Sequence, residues 1–119
     1  MEFRIEELDI IRQWYDAVQE LNPKYLEERD AALYIKIIEE LSKIEERMNR
    51  LKQLGFVEDK FQRSFSKTIT KGNYHYQQHI SYDEIEKTKD FDKYIKRVLD
   101  TMEKELNDYI EKDNKAPGI

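Results

Sequence analysis

The sequence predicts an α+β fold: an N-terminal antiparallel helical hairpin with one long amphipathic helix, then a β-hairpin packed by a C-terminal helix. Three glycines and two prolines in 119 residues favour long helices over a many-turned β fold. The apolar residues recur with a helical period up to residue 55 and after residue 90, and with a period of two over residues 61–82. A chain of this length is expected to form a single domain, residues 1–119.

Residues 1–55 predict the helical hairpin. Its first helix, residues 3–21, has an apolar stripe widened by Trp14 and Leu21; the stripe consists of Leu8, Ile11, Tyr15 and Val18. Asn22–Pro23 separates the two helices, because proline cannot continue a helix but fits the first turn of the next.

The second helix, from about Tyr25 to Leu54 with Gly55 as its C-terminal cap, has the most regular pattern in the chain. Its apolar positions alternate spacings of three and four, which is a heptad seam, and are Tyr34, Ile37, Leu41, Ile44, Met48 and Leu51. At 1.5 Å per residue the helix is roughly 45 Å long, and the first helix is only about two thirds of that. The seam therefore predicts a homo-oligomer interface.

Residues 56–82 predict the β-hairpin. Large and basic residues alternate with Thr, Ser, Gln and His on both sides of a turn at Lys71–Gly72. Pairing Ile69 with Tyr74 places Phe61 beside Tyr82 on the apolar face, and the opposite face is entirely polar. The run Glu58-Asp59-Lys60 that precedes the hairpin is interpreted as a loop.

An acidic connection over residues 83–92 leads to the final helix, assigned to residues 88–112 and starting at about Asp90. Its apolar side is expected to cover the hairpin and consists of Phe91, Ile95, Val98, Met102, Leu106 and Tyr109. The last residues, 113–119, are predicted to be a loose tail.

The residues offer little to catalysis. There is no cysteine, so disulfides and thiolate metal sites are excluded. His75 and His79 share a strand face but lie roughly 13 Å apart, too far for one metal ion. The carboxylates fall on solvated helix positions, and the phosphate-loop and nucleophile motifs are absent. We therefore expect no catalytic residue, no metal, no cofactor and no enzymatic activity; a metal-dependent enzyme using His75 and His79 ranks third among the hypotheses. The lack of a long apolar run and of cysteine favours the cytoplasm.

Nucleic-acid binding is the alternative hypothesis. The net charge of −5 argues against a wholly basic surface, but residues 42–72 are locally basic. Cations interleaved with aromatic rings suit a single strand, and the candidates are Arg63, Lys67, Lys71, Tyr74 and Tyr76. The competing interpretation, which we favour, buries these rings under the last helix.

The turn Lys67-Thr68-Ile69-Thr70-Lys71-Gly72-Asn73-Tyr74 resembles a strand–turn–strand of small phage-type proteins of uncharacterised function. The resemblance implies a mobile-element accessory protein that binds a host protein, and it implies no activity. The leading hypothesis is a non-enzymatic protein-binding module. It is expected to self-associate through the heptad seam and to bind a second protein, with no membrane involved.

Overall fold

A computed structural model describes residues 3–21 and 28–115, and its helices and three-stranded antiparallel sheet confirm the α+β class. The chain divides into two compact units, residues 1–49 and residues 50–119. The division falls within one continuous helix, so each unit is described by itself.

The first unit is a helical hairpin. A 3-10 turn, Ile5–Glu7, leads into α1, Leu8–Leu21, and α2 spans Glu28–Gln53. The helices run antiparallel, because Tyr15 meets Tyr34 with ring centroids 5.9 Å apart while Arg12, earlier in α1, reaches Ser42, later in α2. The predicted boundary at Asn22–Pro23 and the predicted start at Tyr25 lie outside the described residues.

Gly55 ends α2 as predicted. It has φ +92, in the left-handed region that glycine adopts without strain. The Phe56 N–H donates to the Leu51 carbonyl at 3.0 Å and the Gly55 N–H to the Lys52 carbonyl at 3.1 Å. These two bonds are those of a Schellman motif. Leu51 and Phe56 occupy the two positions at which this motif commonly has apolar residues, and both side chains are buried. The chain is thereby turned sharply from helix into sheet.

The sheet has the order β1-β2-β3, with β1 Val57–Asp59, β2 Ser64–Lys71 and β3 Tyr74–Ser81. The predicted pairing of Ile69 with Tyr74 is wrong: Ile69 pairs with Tyr76, and Tyr74 pairs with Lys71. The loop is therefore Gly72–Asn73. Gly72 has φ +60 and Asn73 does not have a positive φ, which is the pattern of a type II′ turn.

Two further predictions about this region are wrong. The run Glu58-Asp59-Lys60 is not wholly a loop, since Glu58 and Asp59 belong to β1 and pair with β2. Phe61 is not in a strand beside Tyr82; its side chain is 97% exposed. The chain turns here because Asp59 accepts a hydrogen bond from the Gln62 N–H at 3.1 Å, and because Arg63 takes a left-handed conformation, φ +50.

Two helices complete the second unit. Tyr82, predicted in the strand, begins α3, Tyr82–Lys87, which Ser81 caps by accepting from the Glu84 N–H at 3.1 Å. The predicted connection over residues 83–92 is therefore partly helical. The final helix, α4, spans Phe91–Lys115 and packs against β3, so residues 113–115, predicted to lie in the loose tail, belong to the helix. Its side chains buried as predicted are Phe91, Ile95, Met102 and Leu106, while Tyr109 is exposed. They share the core of this unit with Leu51, Phe56, Phe65, Ile80, Tyr82 and Ile85.

Candidate protein-binding surface

The heptad seam of α2 is largely used within the chain. Tyr34 and Ile37 are half-buried, and the remaining seam residues are buried: Leu41, Ile44, Met48 and Leu51. A residue already buried in its own chain adds nothing to an interface unless the chain opens. The part of the predicted interface that is accessible is therefore its N-terminal end.

Apolar side chains on the helical hairpin remain in contact with solvent. Trp14 was expected to widen the buried stripe of α1, but it is 53% exposed. Ile10, one turn earlier on the same helix face, is 45% exposed, and Leu33 of α2 is 56% exposed. Large apolar residues exposed together, rather than singly, mark interaction surfaces.

Helix geometry places Ile10, Trp14 and Leu33 on one side of the hairpin. On α1, at 100° per residue, Ile10 and Trp14 flank the buried stripe on the side opposite to Arg12. On α2, Leu33 flanks the seam on the side opposite to Ser42. Arg12 and Ser42 mark one side of the hairpin, because their side chains are hydrogen-bonded at 2.9 Å. The opposite flanks therefore share the other side, which we call the apolar side.

Trp14 and Leu33 also lie at a similar height along the hairpin. Each is the neighbour in sequence of a member of the Tyr15–Tyr34 ring pair, whose centroids are 5.9 Å apart. The polar side differs in character. There Arg12 joins Ser42 and also Glu45, at 3.5 Å. The polar side also carries Ile35, which is 43% exposed and precedes Ser42 by seven residues, whereas the apolar side carries three exposed apolar side chains.

The cations proposed for nucleic-acid binding have partners within the second unit. Lys67 donates to the Leu54 carbonyl at 2.5 Å, and Lys71 donates to Glu103 at 3.0 Å and to Asn107 at 2.7 Å. Arg63 lies 3.8 Å from an Asp83 carboxylate oxygen and 5.1 Å from the centroid of the Tyr82 ring. A nucleic acid would have to compete with these contacts.

The aromatic members of that set are also engaged. Tyr74 stacks edge-on against Tyr109, with centroids 5.8 Å apart, and donates to Asp113. That hydrogen bond, with burial and the nearby negative charge, raises the pKa of Tyr74. Tyr76 is half-buried and donates to Gln78 at 3.4 Å. These rings lie on the sheet face that carries Phe65 and Ile80, but they are half-buried and not fully buried under the last helix.

The histidines lie on the polar face of the sheet. His75 and His79 are exposed, and His75 Nδ1 is 3.1 Å from the Thr70 hydroxyl oxygen. Among residues 3–21 and 28–115, no group of three or more His, Asp or Glu side chains could hold a metal ion.

A shallow surface concavity at α3 and the start of α4 contains one perturbed group. Burial, followed by the hydrogen bond that Tyr94 donates to Glu84 at 2.6 Å, raises the pKa of the Tyr94 phenol. A phenol with a raised pKa is a weaker acid and its anion is less accessible at neutral pH, so this feature does not suit a general base.

Sequence reasoning missed two exposed apolar positions at the β1 edge. Val57 is 69% exposed, and Phe61 projects from a turn held by hydrogen bonds. The signal that could have found the turn is Asp59, because an aspartate often accepts a bond from the backbone N–H a few residues on and thereby starts a turn.

No described helix is both long enough and apolar enough to cross a membrane. Comparison with known proteins gives no match, whether to protein-family models, to curated proteins or to solved structures.

Proposed function

We propose that this protein is a non-enzymatic binding module for another protein, acting in the cytoplasm, and that the apolar side of the helical hairpin is its contact surface. The observation that carries the proposal is the joint exposure of Ile10, Trp14 and Leu33. Tryptophan is among the residue types that contribute most to protein–protein affinity, because one rigid ring buries a large area. An amphipathic helix of the partner would fit along this surface.

The residues around these side chains support the proposal. Ala17 is exposed and lies one turn beyond Trp14 on the same flank, so it adds little bulk beside the indole. The half-buried Ile37, one turn after Leu33, continues the apolar surface on α2. The seam-mediated self-association expected from the sequence would have to use this same end of α2. Self-association would therefore compete with the partner protein for the same surface.

The test combines affinity capture with site-specific photo-crosslinking. A photoreactive amino acid replaces Ala17, on the apolar side, and in a matched control it replaces Asp16, exposed and adjacent but on the opposite flank. Nuclease-treated host extract removes capture through nucleic acid. The expected result is a crosslinked protein from position 17 and none from position 16.

A second variant removes the anchor itself. Trp14→Ala is expected to weaken binding of the crosslinked protein roughly 30-fold or more, because truncating a central tryptophan costs about 2 kcal/mol or more. Gln13→Ala, an exposed neighbour pointing away from both flanks, should leave binding unchanged. Equal capture by Trp14→Ala and the unaltered protein would overturn the proposal. Crosslinking of one copy to another at position 17 would identify self-association instead.

A further inference from the structure

The outer edge of β3 is a long strand edge without a partner strand in the described part of the chain. The sheet order is β1-β2-β3, so β3 pairs with β2 on one side only. At the opposite edge, β1 has three residues, whereas β3 has eight. The face of β3 that carries Tyr74 is covered by α4, but His75, Gln77 and His79 are all exposed.

The hydrogen-bond parity of the hairpin shows which backbone groups of β3 point outwards. Lys71 and Tyr74 flank the two-residue turn, so they form a pair that is hydrogen-bonded across the strands. Such pairs alternate with non-hydrogen-bonded ones along an antiparallel ladder. At the other end of the hairpin, the Tyr82 N–H donates to the Arg63 carbonyl at 2.9 Å, which fits the same parity. The N–H and C=O groups of His75, Gln77 and His79 therefore point away from β2.

This edge lacks the features that keep natural sheet edges apart. Proteins commonly protect an edge with lysine or another charge, with proline, with a bulge, or by making the strand very short. The stretch 72–82 contains no Asp, Glu, Lys, Arg or Pro, and it is the longest uncharged stretch in a chain of which 39% is charged. By contrast, β1 is short and two of its three residues are acidic. The β1 edge is thus protected against pairing with another strand, and the β3 edge is not.

We propose that β3 pairs with β3 of a second copy of this chain, antiparallel about a two-fold axis at Gln77, which joins two sheets into one. Centring the axis on Gln77 pairs His75 with the partner's His79 and uses the outward groups of all three residues. The His79 carbonyl already accepts a hydrogen bond from the Gln78 side-chain amide at 3.2 Å, and its second lone pair is used for the new strand. A two-fold axis makes the contact self-complementary and closed. The absence of charge favours a second copy, because like charges directly opposite each other would repel.

The test is the oligomeric state measured by sedimentation equilibrium over micromolar concentrations. The unaltered protein is expected to dimerise. Gln77→Lys places two lysines directly opposite each other across the axis, with their Cα atoms about 5.5 Å apart. Repulsion between their charges should weaken the dimer roughly tenfold or more. Thr68→Lys is the matched control: Thr68 pairs with Gln77 and is exposed on the same face, but it lies one strand inwards. It should leave the dimer intact.

Charge complementation separates the proposal from simple damage to the fold. Gln77→Glu should weaken the dimer as Gln77→Lys does, while an equal mixture of the two variants should form a heterodimer, since opposite charges then face each other. A monomeric unaltered protein, an unaffected Gln77→Lys variant, equal disruption by Thr68→Lys, or failure of the mixture to associate would each overturn it. Trp14→Ala should leave this dimer unchanged, so the outcome is independent of the function proposed above.

Discussion

Lys67 is expected to stabilise the fold more than any other lysine of the sheet, and Lys67→Met tests this. Its ammonium group donates to the Leu54 carbonyl at 2.5 Å and lies 5.9 Å from the centroid of the Phe56 ring. Leu54 follows the last residue of α2, so the cation caps the negative end of the helix dipole. Methionine keeps the apolar stem and removes the charge and the donor.

The magnitude follows from these contacts. A hydrogen bond from a charged donor contributes about 1.5–3 kcal/mol, and the half-buried setting of Lys67 places it near the lower end. A cation at a helix C-terminus adds about 0.3–1 kcal/mol. The total is about 2 kcal/mol. With an unfolding entropy of about 2.1 cal/mol/K per residue, a chain of 119 residues that unfolds in one transition should lose about 8 °C in Tm.

Lys71→Met is the matched control, because Lys71 lies on the same strand and face but its contacts, an ion pair with Glu103 and a hydrogen bond to Asn107, are exposed. Exposed pairs contribute about 0–1 kcal/mol, so its Tm should fall by at most about 4 °C. Thermal and urea unfolding followed by circular dichroism measures both variants. In 1 M salt the Lys71 contribution should largely disappear while that of Lys67 persists. Equal losses for the two variants would refute the reasoning.

Three further outcomes are expected. Gly55→Ala should cost about 1–2 kcal/mol in urea unfolding, because a Cβ at φ +92 is strained; a cost no larger than that of an ordinary helix substitution would contradict the Schellman assignment. Asp90→Ala should cost about 1 kcal/mol, since Asp90 accepts from the Lys93 N–H at 3.2 Å and so caps α4, whereas Asp92→Ala should cost less. The pKa of the Tyr94 phenol is raised, so folding favours its protonated form. Tyr94 therefore adds to the free energy of unfolding fully below the unfolded-state pKa of about 10, and this addition is lost as the pH rises through the folded-state pKa. Absorbance titration should show one late-ionising tyrosine fewer in Tyr94→Phe, while Tyr74, whose pKa is also raised, still ionises late; identical titrations would refute it.

The sequence predicted the three long helices because their apolar residues repeat with a sustained helical period. It did not predict α3, Tyr82–Lys87, whose six residues are too few to show such a period. It predicted which residues share a sheet face, but it missed the register by two positions. A shift of two leaves every side chain on the same face, so the apolar alternation that fixes the face cannot fix the pairing. The pairing of Lys71 with Tyr74 and the positive φ of Gly72 show that the loop is Gly72–Asn73.

The periodic pattern of the sequence could not predict strand β1 or which apolar residues are exposed. Three residues, two of them acidic, carry no recognisable period, so β1 is defined only by its pairing with β2. The seam of α2 was predicted as an interface, yet a period shows that residues face one way and does not show what they face. The apolar side of the hairpin became visible only when Arg12 and Ser42 marked the opposite flank.

Trp14 is the single tryptophan of the chain, and it belongs to the unit of residues 1–49. All indole emission therefore originates in that unit, because residues 50–119 contain no tryptophan. A half-exposed indole emits at longer wavelength than a covered one, so occupancy of the apolar side would shift the emission to the blue without any attached label. The same chromophore distinguishes melting of the helical hairpin from melting of the sheet unit, which far-ultraviolet circular dichroism combines into one curve.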